Sequence, residues 1–69
     1  MDALHQAFSD RLSGLMRDKK LSSNRLADFA GLGRSSVAAI LRGEKSPTLR
    51  TLGRLAEALE VKPRDLLPE

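Results

Sequence analysis

Apolar side chains recur at three- and four-residue steps along the whole 69-residue chain, and this spacing constrains the fold more than any other feature. Such steps put side chains on one face of an α-helix, whereas a half-buried strand requires strict alternation. Nothing alternates with a period of two and β-branched residues are sparse, so we predict one all-α domain of five helices over residues 1–69. The predicted apolar positions are, helix by helix, Leu4, Phe8, Leu12, Leu15 and Met16; Leu26, Ala27, Phe29 and Ala30; Val37, Ile40 and Leu41; Leu49, Leu52, Leu55, Ala56 and Leu59; and Leu66 and Leu67.

Capping residues divide this pattern into helices. Ser22 and Thr48 are the predicted N-caps of the second and fourth helices, because a hydroxyl oxygen can accept a hydrogen bond from a free backbone N–H. Gly31 is predicted to end the second helix in the left-handed region, which glycine enters without steric cost, and Gly43 is predicted to end the third helix. Pro63 suits the first turn of a short fifth helix. The connections between the helices are therefore predicted to be short.

The composition excludes several kinds of site. The chain has no Cys and a single His, His5, so it offers no disulfide, no thiolate metal site and no His-based cluster or triad. It also contains no Gly-rich phosphate loop and no carboxylate pair on a helix face, so we predict no enzyme activity, no cofactor and no metal. No apolar run approaches the roughly 18 residues of a membrane span, and residues 1–10 do not resemble an export signal. The prediction is a cytoplasmic protein that does not associate with a membrane.

Positive charge is concentrated in one segment. The formal net charge of the chain is +3. Residues 34–54 contain five basic residues and one acidic residue, whereas the rest of the chain contains seven basic and eight acidic residues. A concentrated basic surface is what a polyanion partner requires. The alternative is that Arg42, Lys45 and Arg50 form only a solvated basic face.

The segment "LADFAGLGRSSVAAILRG" places two short helical patterns on either side of "GLG". Two helices that meet at a steep angle across a Gly-containing turn form a helix-turn-helix, here predicted at about residues 23–42. Ala27 provides the small residue where the helix axes approach, and Gly31 provides the positive φ of the turn. Val37 and Ile40 anchor the second of the two helices, predicted to span residues 34–42, against the core.

With these pieces in place, residues 8–67 resemble the lambda-repressor-like, Cro-type helix-turn-helix domains, also called the xenobiotic-response-element family. The resemblance implies a compact five-helix bundle that binds operator DNA, usually as a dimer. It also implies that residues 34–42 are the recognition helix in the major groove. The matching segments are "RLSGLMRDKKLS", "RLADFAGLGRSSVAAILRGEKSPTLRTLGRLAEAL" and "VKPRDLL".

The resemblance assigns contacts to double-stranded DNA. Arg34 is the predicted bidentate partner of a guanine, and a small helix face lets the backbone sit deep in the groove. The remaining contacts would position the duplex without reading it. The predicted base contacts are Arg34, Ser35, Ala38 and Ala39, and the predicted phosphate contacts are Ser22, Ser23, Asn24, Arg42, Lys45, Ser46, Thr48 and Arg50.

Several positions depart from the family pattern. Ser23 stands where the family often has Gln, Gly33 replaces the usual Ser or Thr N-cap, and the capping-box acid expected at Arg25 is absent. Ala38 and Ala39 replace long polar base-reading side chains, although they could be present for helix propensity alone. Base readout is therefore predicted to depend on few side chains.

Because one such helix reads few base pairs, we predict a homodimer on a near-palindromic operator. The predicted dimer surface is apolar and lies near the C-terminal end, with the alternative that its members, Leu66 above all, close the core instead. Its predicted members are Val61, Leu66, Leu67 and Pro68.

Three functions fit this pattern. The first is a sequence-specific transcriptional regulator, repressor-like and of the phage, plasmid or mobile-element type. The second is the antitoxin of a toxin–antitoxin pair, which would bind a toxin protein and repress its own operon. The third is a controller protein of a restriction–modification system, which is a subtype of the first.

Overall fold

The computed structural model describes residues 3–67 and contains four α-helices and one 3₁₀ turn. The helices are α1 (Ala3–Asp18), α2 (Ser23–Ala30), α3 (Arg34–Leu41) and α4 (Leu49–Leu59), and the 3₁₀ turn covers Pro63–Leu66. No strand occurs in the described residues, so the prediction of an all-helical fold is confirmed.

The predicted fifth helix is a single 3₁₀ turn. Its backbone bonds join residues three apart: the N–H of Asp65 donates to the carbonyl of Lys62 at 2.8 Å, and that of Leu67 to Arg64 at 3.2 Å. Four residues are too few to continue an α-helical hydrogen-bond ladder. The prediction of five helices was therefore wrong by one.

A single core joins all five elements. α4 packs against α2 and the 3₁₀ turn, while α1 packs against α3 and the same turn. Within residues 3–67, thirteen apolar side chains are buried, and most lie at the predicted helical spacing. They are Phe8, Leu12, Met16, Leu26, Ala27, Ala30, Val37, Ile40, Leu52, Leu55, Ala56, Leu59 and Leu66.

Three predicted core residues lie at the surface instead. Phe29 is 62% exposed, because the inward face of the two-turn helix α2 is already formed by Leu26, Ala27 and Ala30. Leu49 is 86% exposed and Leu4 is 63% exposed. Both lie in the first turn of their helices, where the spacing is correct but no other element covers the side chain.

Two side-chain hydrogen bonds fix α3 and the C-terminal end on α1. The buried Ser9 hydroxyl donates to the carbonyl of Ile40 at 2.8 Å, so the end of α3 is tied to the middle of α1. Arg11 Nε donates to the carbonyl of Asp65 at 2.6 Å. A satisfied buried polar group specifies one position for the element that it contacts, and here that element is α3.

Candidate nucleic-acid interface

The turn between α2 and α3 has the predicted geometry. Gly31 adopts φ 69° and ψ 34°, and the N–H groups of Gly31 and Leu32 donate to the carbonyls of Asp28 and Ala27. This arrangement closes the C-terminal end of α2. A Cβ on Gly31 would also lie 3.0 Å from Arg54 Nη1, the end of a flexible side chain, so the positive φ is the main reason for glycine at this position.

The helix-turn-helix prediction is confirmed by the burial of its anchors. Ala27 and Val37 are completely buried and Ile40 is 1% exposed. Ser22 caps α2 by accepting a hydrogen bond from the N–H of Arg25 at 3.2 Å, as predicted. Together these contacts hold α3 at a fixed angle to α2, with its other face turned away from the core.

The outward side of α3 is small and polar. Arg34 and Ser35 are exposed, whereas Ala38 and Ala39 are half-buried. Ser35, Ala38 and Ala39 lie three and four residues apart and therefore share one helix face. α3 ends at Leu41, one residue earlier than predicted, and Arg42 is its C-cap. This face has no long side chain at its centre that would hold a duplex away.

Gly33 is the N-cap of α3 and has no side chain, so the first backbone N–H groups of this helix donate to no capping hydroxyl. Arg34, the first residue of α3, forms a bidentate ion pair with Asp28 of α2. Its Nε donates to Asp28 Oδ1 at 3.2 Å and its Nη2 to Asp28 Oδ2 at 2.9 Å. The ion pair thus joins α2 to α3 across the turn.

The Arg34–Asp28 ion pair shifts the pKa of both side chains. The hydrogen bond from Arg34 is the main reason that the pKa of Asp28 lies below its usual value, and desolvation opposes the shift only in part. The same bond raises the pKa of Arg34. Both side chains remain more than half exposed, so solvent screens the pair and its contribution to stability is small.

The basic side chains beyond α3 have different partners. Arg42 Nε pairs with Glu44 Oε2 at 3.1 Å, which raises the pKa of Arg42. Lys45 Nζ donates to Ser36 Oγ at 3.4 Å. Arg50 is exposed and forms no ion pair within residues 3–67. Exposed basic side chains therefore recur along the chain from the end of α3 to the first turn of α4.

The predicted hydroxyl and amide contacts lie at helix starts or in the loop before α4. Thr48 caps α4, and its Oγ1 accepts from the N–H of Thr51 at 3.1 Å. Asn24 and Ser46 are exposed, and Ser23 is half-buried. Arg54 does not extend this surface, since its Nη1 donates to the carbonyl of Ala30 at 3.3 Å and closes the end of α2.

The structure divides the predicted dimer surface. Leu66 is completely buried, so its assignment to a partner surface was wrong: the 3₁₀ turn directs this side chain into the core. Val61 is half-buried against the core, and Pro68 lies outside the described residues. Leu67 is 47% exposed and remains available. Of the predicted group, Leu67 is the described member with substantial apolar exposure.

An apolar groove surrounds Leu67. Leu4 and Leu49 are its other exposed leucines, and Pro47 with the buried Phe8 and Leu52 completes the apolar lining. The groove therefore combines the start of α1, the loop before α4 with Lys45 and Ser46, the start of α4 and the C-terminal end of the described chain. Two of its three exposed leucines, Leu4 and Leu49, are positions that helical spacing predicted to lie in the core.

Asp28 is the partner of Arg34 that the sequence reasoning missed. It lies six residues before Arg34, too far apart for a pair within one helix. The two residues meet because the turn brings α3 back beside the last turn of α2. The signal available in the sequence was opposite charge on either side of a turn already predicted from Gly31.

Neither a membrane span nor a metal site is present in the part of the chain that the structure describes. None of its helices has the length and apolar character needed to cross a membrane. Within residues 3–67, no group of three or more His, Asp or Glu side chains is arranged to hold a metal ion.

The fold and the exposed α3 face define a helix-turn-helix DNA-binding protein. Residues 11–68 match the Cro/C1-type HTH DNA-binding domain, and the chain belongs to this family. The family membership predicted from residues 8–67 is therefore confirmed.

Individual relatives are regulators. The chain is 32% identical over 57 residues to the HTH-type transcriptional repressor RghR of Bacillus subtilis, a match that covers 81% of this chain and 42% of that protein. This chain thus spans less than half the length of that relative.

Two solved structures are similar in fold and in sequence. The restriction-modification controller protein C.AhdI from Aeromonas hydrophila has a TM-score of 0.86 and 39% identity, covering 88% of this chain and 92% of that one. An HTH_3 family transcriptional regulator from Vibrio cholerae has a TM-score of 0.86 and 28% identity, covering 91% of this chain and 35% of that one.

Proposed function

We propose that this protein is a sequence-specific, double-stranded DNA-binding transcriptional regulator of the repressor type, with α3 in the major groove. The observation that carries the proposal is the outward face of α3, where small side chains lie between an exposed Arg34 and a basic loop. The major groove is about 12 Å wide and admits a helix of this kind. Repressor activity in a relative supports the direction of regulation.

The proposed contacts divide into reading and positioning contacts. Arg34 reads a guanine, Ser35 contacts a base edge, and Ala38 and Ala39 lie against thymine methyl groups or the groove floor. Phosphates are bound by exposed hydroxyls, amides and cations around α3. These proposed phosphate contacts are Ser22, Ser23, Asn24, Arg42, Lys45, Ser46, Thr48 and Arg50.

A DNA-selection experiment tests this function directly. The protein is incubated with a random duplex library, and bound sequences are amplified through several rounds. The expected result is a short motif containing guanine, bound at least a thousandfold more tightly than unrelated duplex. Enrichment of no motif, with equal binding to all duplexes, would overturn the proposal of sequence-specific regulation.

We further propose that the protein binds as a homodimer on a near-palindromic operator, with two α3 helices about 34 Å apart. The support is the groove around Leu4, Leu49 and Leu67, because exposed apolar patches on small proteins commonly mark interaction sites. Light scattering with and without operator should give twice the monomer mass on DNA. Leu67→Asp should lower dimer formation, and a variant that dimerises as well as wild type would exclude this surface.

A controller protein of a restriction–modification system is the second candidate function. The specific observation in its favour is the similarity to C.AhdI, which extends over 92% of that controller protein. Restriction and methylation genes beside this gene would support it. The antitoxin alternative would require a toxin-sized reading frame there and a toxin protein that co-purifies. In each case we propose a cytoplasmic location and no enzymatic or cofactor-dependent activity.

A further inference from the structure

The Arg34–Asp28 ion pair leaves one edge of the guanidinium free. An arginine has five N–H donors in a planar fork. Asp28 engages Nε and Nη2, which together form the side edge of the group. The end edge, formed by Nη1 and the second hydrogen of Nη2, still carries two donors that point in roughly the same direction.

Guanine presents two acceptors in the major groove, O6 and N7, and takes two donors from one arginine. The free end edge of Arg34 matches that requirement. Arg34 can therefore contact a guanine while Asp28 keeps its two hydrogen bonds. The carboxylate does not compete with the base for the same donors.

We propose that Asp28 is a positioning and specificity-determining residue, which holds Arg34 with its end edge presented to a guanine. This inference rests on the proposed function of α3. Without a partner, a long arginine side chain at the start of a helix occupies several rotamers and can also bind a phosphate. Two hydrogen bonds to a neighbouring helix remove most of that freedom.

Asp28 also has an electrostatic effect of opposite sign. Its carboxylate adds negative charge beside Arg34, where DNA phosphates would approach. Non-specific binding to unrelated duplex is therefore weakened, because that binding depends on positive charge alone. The affinity for the operator is raised by the fixed arginine, whereas the added negative charge lowers the affinity for any duplex. Comparing operator with unrelated DNA therefore separates positioning from charge.

Asp28→Asn is the main test variant, and Glu57→Gln is its matched control. Glu57 is exposed and borders the same surface hollow as Asp28, but it does not pair with Arg34. Both variants remove one negative charge from this region. Because both positions are exposed, thermal unfolding should confirm that each variant is folded like the wild type.

The measurement is the ratio of affinities for the selected operator and for the same operator with its guanine replaced. Asp28→Asn should lower this ratio by roughly fivefold, part of what one bidentate contact provides, while binding to unrelated duplex rises by about twofold. Glu57→Gln should raise both affinities slightly and leave the ratio unchanged. Asp28→Glu, which restores the carboxylate, should recover part of the ratio.

A double-variant comparison separates this inference from the proposed function. In an Arg34→Ala background, Asp28→Asn should not lower the ratio further, because the side chain that it positions is gone. If Asp28→Asn behaves like Glu57→Gln while Arg34→Ala still lowers the ratio, the positioning role is overturned and the base contact stands. If Arg34→Ala lowers affinity for all sequences equally, the base contact fails and the positioning role fails with it.

Discussion

The two arginines at the ends of α3 form ion pairs of different kinds. Arg34 pairs with Asp28 on another helix, whereas Arg42 pairs with Glu44 only two residues away in the following loop. The distances and exposures are similar: 2.9 and 3.1 Å, with every side chain more than half exposed. The two pairs differ in what holds the arginine: only the Arg34–Asp28 pair fixes a guanidinium relative to a second helix.

This difference indicates different tasks. A side chain held against the fold can read a base, which requires a defined position. A side chain paired only with a residue just beyond its own helix is not positioned relative to α2, and phosphate contact, which carries no sequence information, does not require such positioning. We therefore expect Arg34 to determine specificity and Arg42 to determine general affinity.

The largest expected effect is that of Arg34→Ala. Affinity for the selected operator should fall by about ten- to a hundredfold, with relaxed preference at one base pair, because a bidentate guanine contact is lost. Arg34→Lys should recover little, since an ammonium group lacks the planar fork. Titrations against operators substituted at each position would measure this. An equal loss on every sequence would make Arg34 a phosphate contact and end the contrast with Arg42.

The next effect concerns Lys45 and Arg50, which continue the basic surface beyond Arg42. Replacing either by Ala should weaken specific and non-specific binding alike. The slope of log K against log salt should become less steep by about one unit. Fluorescence anisotropy at several salt concentrations would give the slope. Arg54→Ala is a useful control, because Arg54 closes the end of α2 and the slope should not change. An unchanged slope for Lys45 and Arg50 would make them a solvated face.

A smaller effect is expected when the acidic partners of Arg42 and Arg34 are replaced. Glu44→Gln removes the carboxylate beside Arg42 and should raise affinity for all duplexes by about twofold, with no change in sequence preference. Asp28→Asn should raise only non-specific affinity and reduce preference. The two variants remove the same charge, so parallel selection experiments compare them directly. Identical sequence preferences would show that the two ion pairs are equivalent.

The sequence predicted most of the fold because the relevant rules are local. Caps at Ser22 and Thr48 and the left-handed turn at Gly31 depend on neighbouring residues, and the structure contains all three. Burial was less predictable. Helical spacing gives the inward face, but it does not say where a neighbouring helix stops covering that face, so Leu4 and Leu49 were misplaced.

The site was predicted in part for the same reason. The composition of α3 identified its exposed face, since alternating burial along one helix follows from its period. The partner of Arg34 depends on the angle at which α2 and α3 meet, and that angle results from packing around Ala27 and Val37. Leu66 and Leu67 are adjacent and equally apolar, and only the 3₁₀ turn distinguishes the buried one from the exposed one.

The smallest expected effect is a dependence on pH. The pKa of Asp28 lies below its ordinary value because Arg34 donates to its ionised form. A lowered folded-state pKa means that the pair contributes fully above the ordinary Asp pKa, and that the contribution is lost as pH falls through the lowered value. Near neutral pH the pair should therefore be unaffected.

An NMR titration of the Asp28 side-chain carboxyl would measure this directly. The wild-type midpoint should lie below that of an ordinary aspartate, and Arg34→Ala should return it towards that value. Arg42→Ala should leave it unchanged, because Arg42 pairs with Glu44 and not with Asp28. Since the pair is exposed, the accompanying change in thermal stability should be small. An Asp28 midpoint that does not respond to Arg34→Ala would mean that the two side chains are not paired in solution, and the difference between the two ends of α3 would then have to arise on DNA.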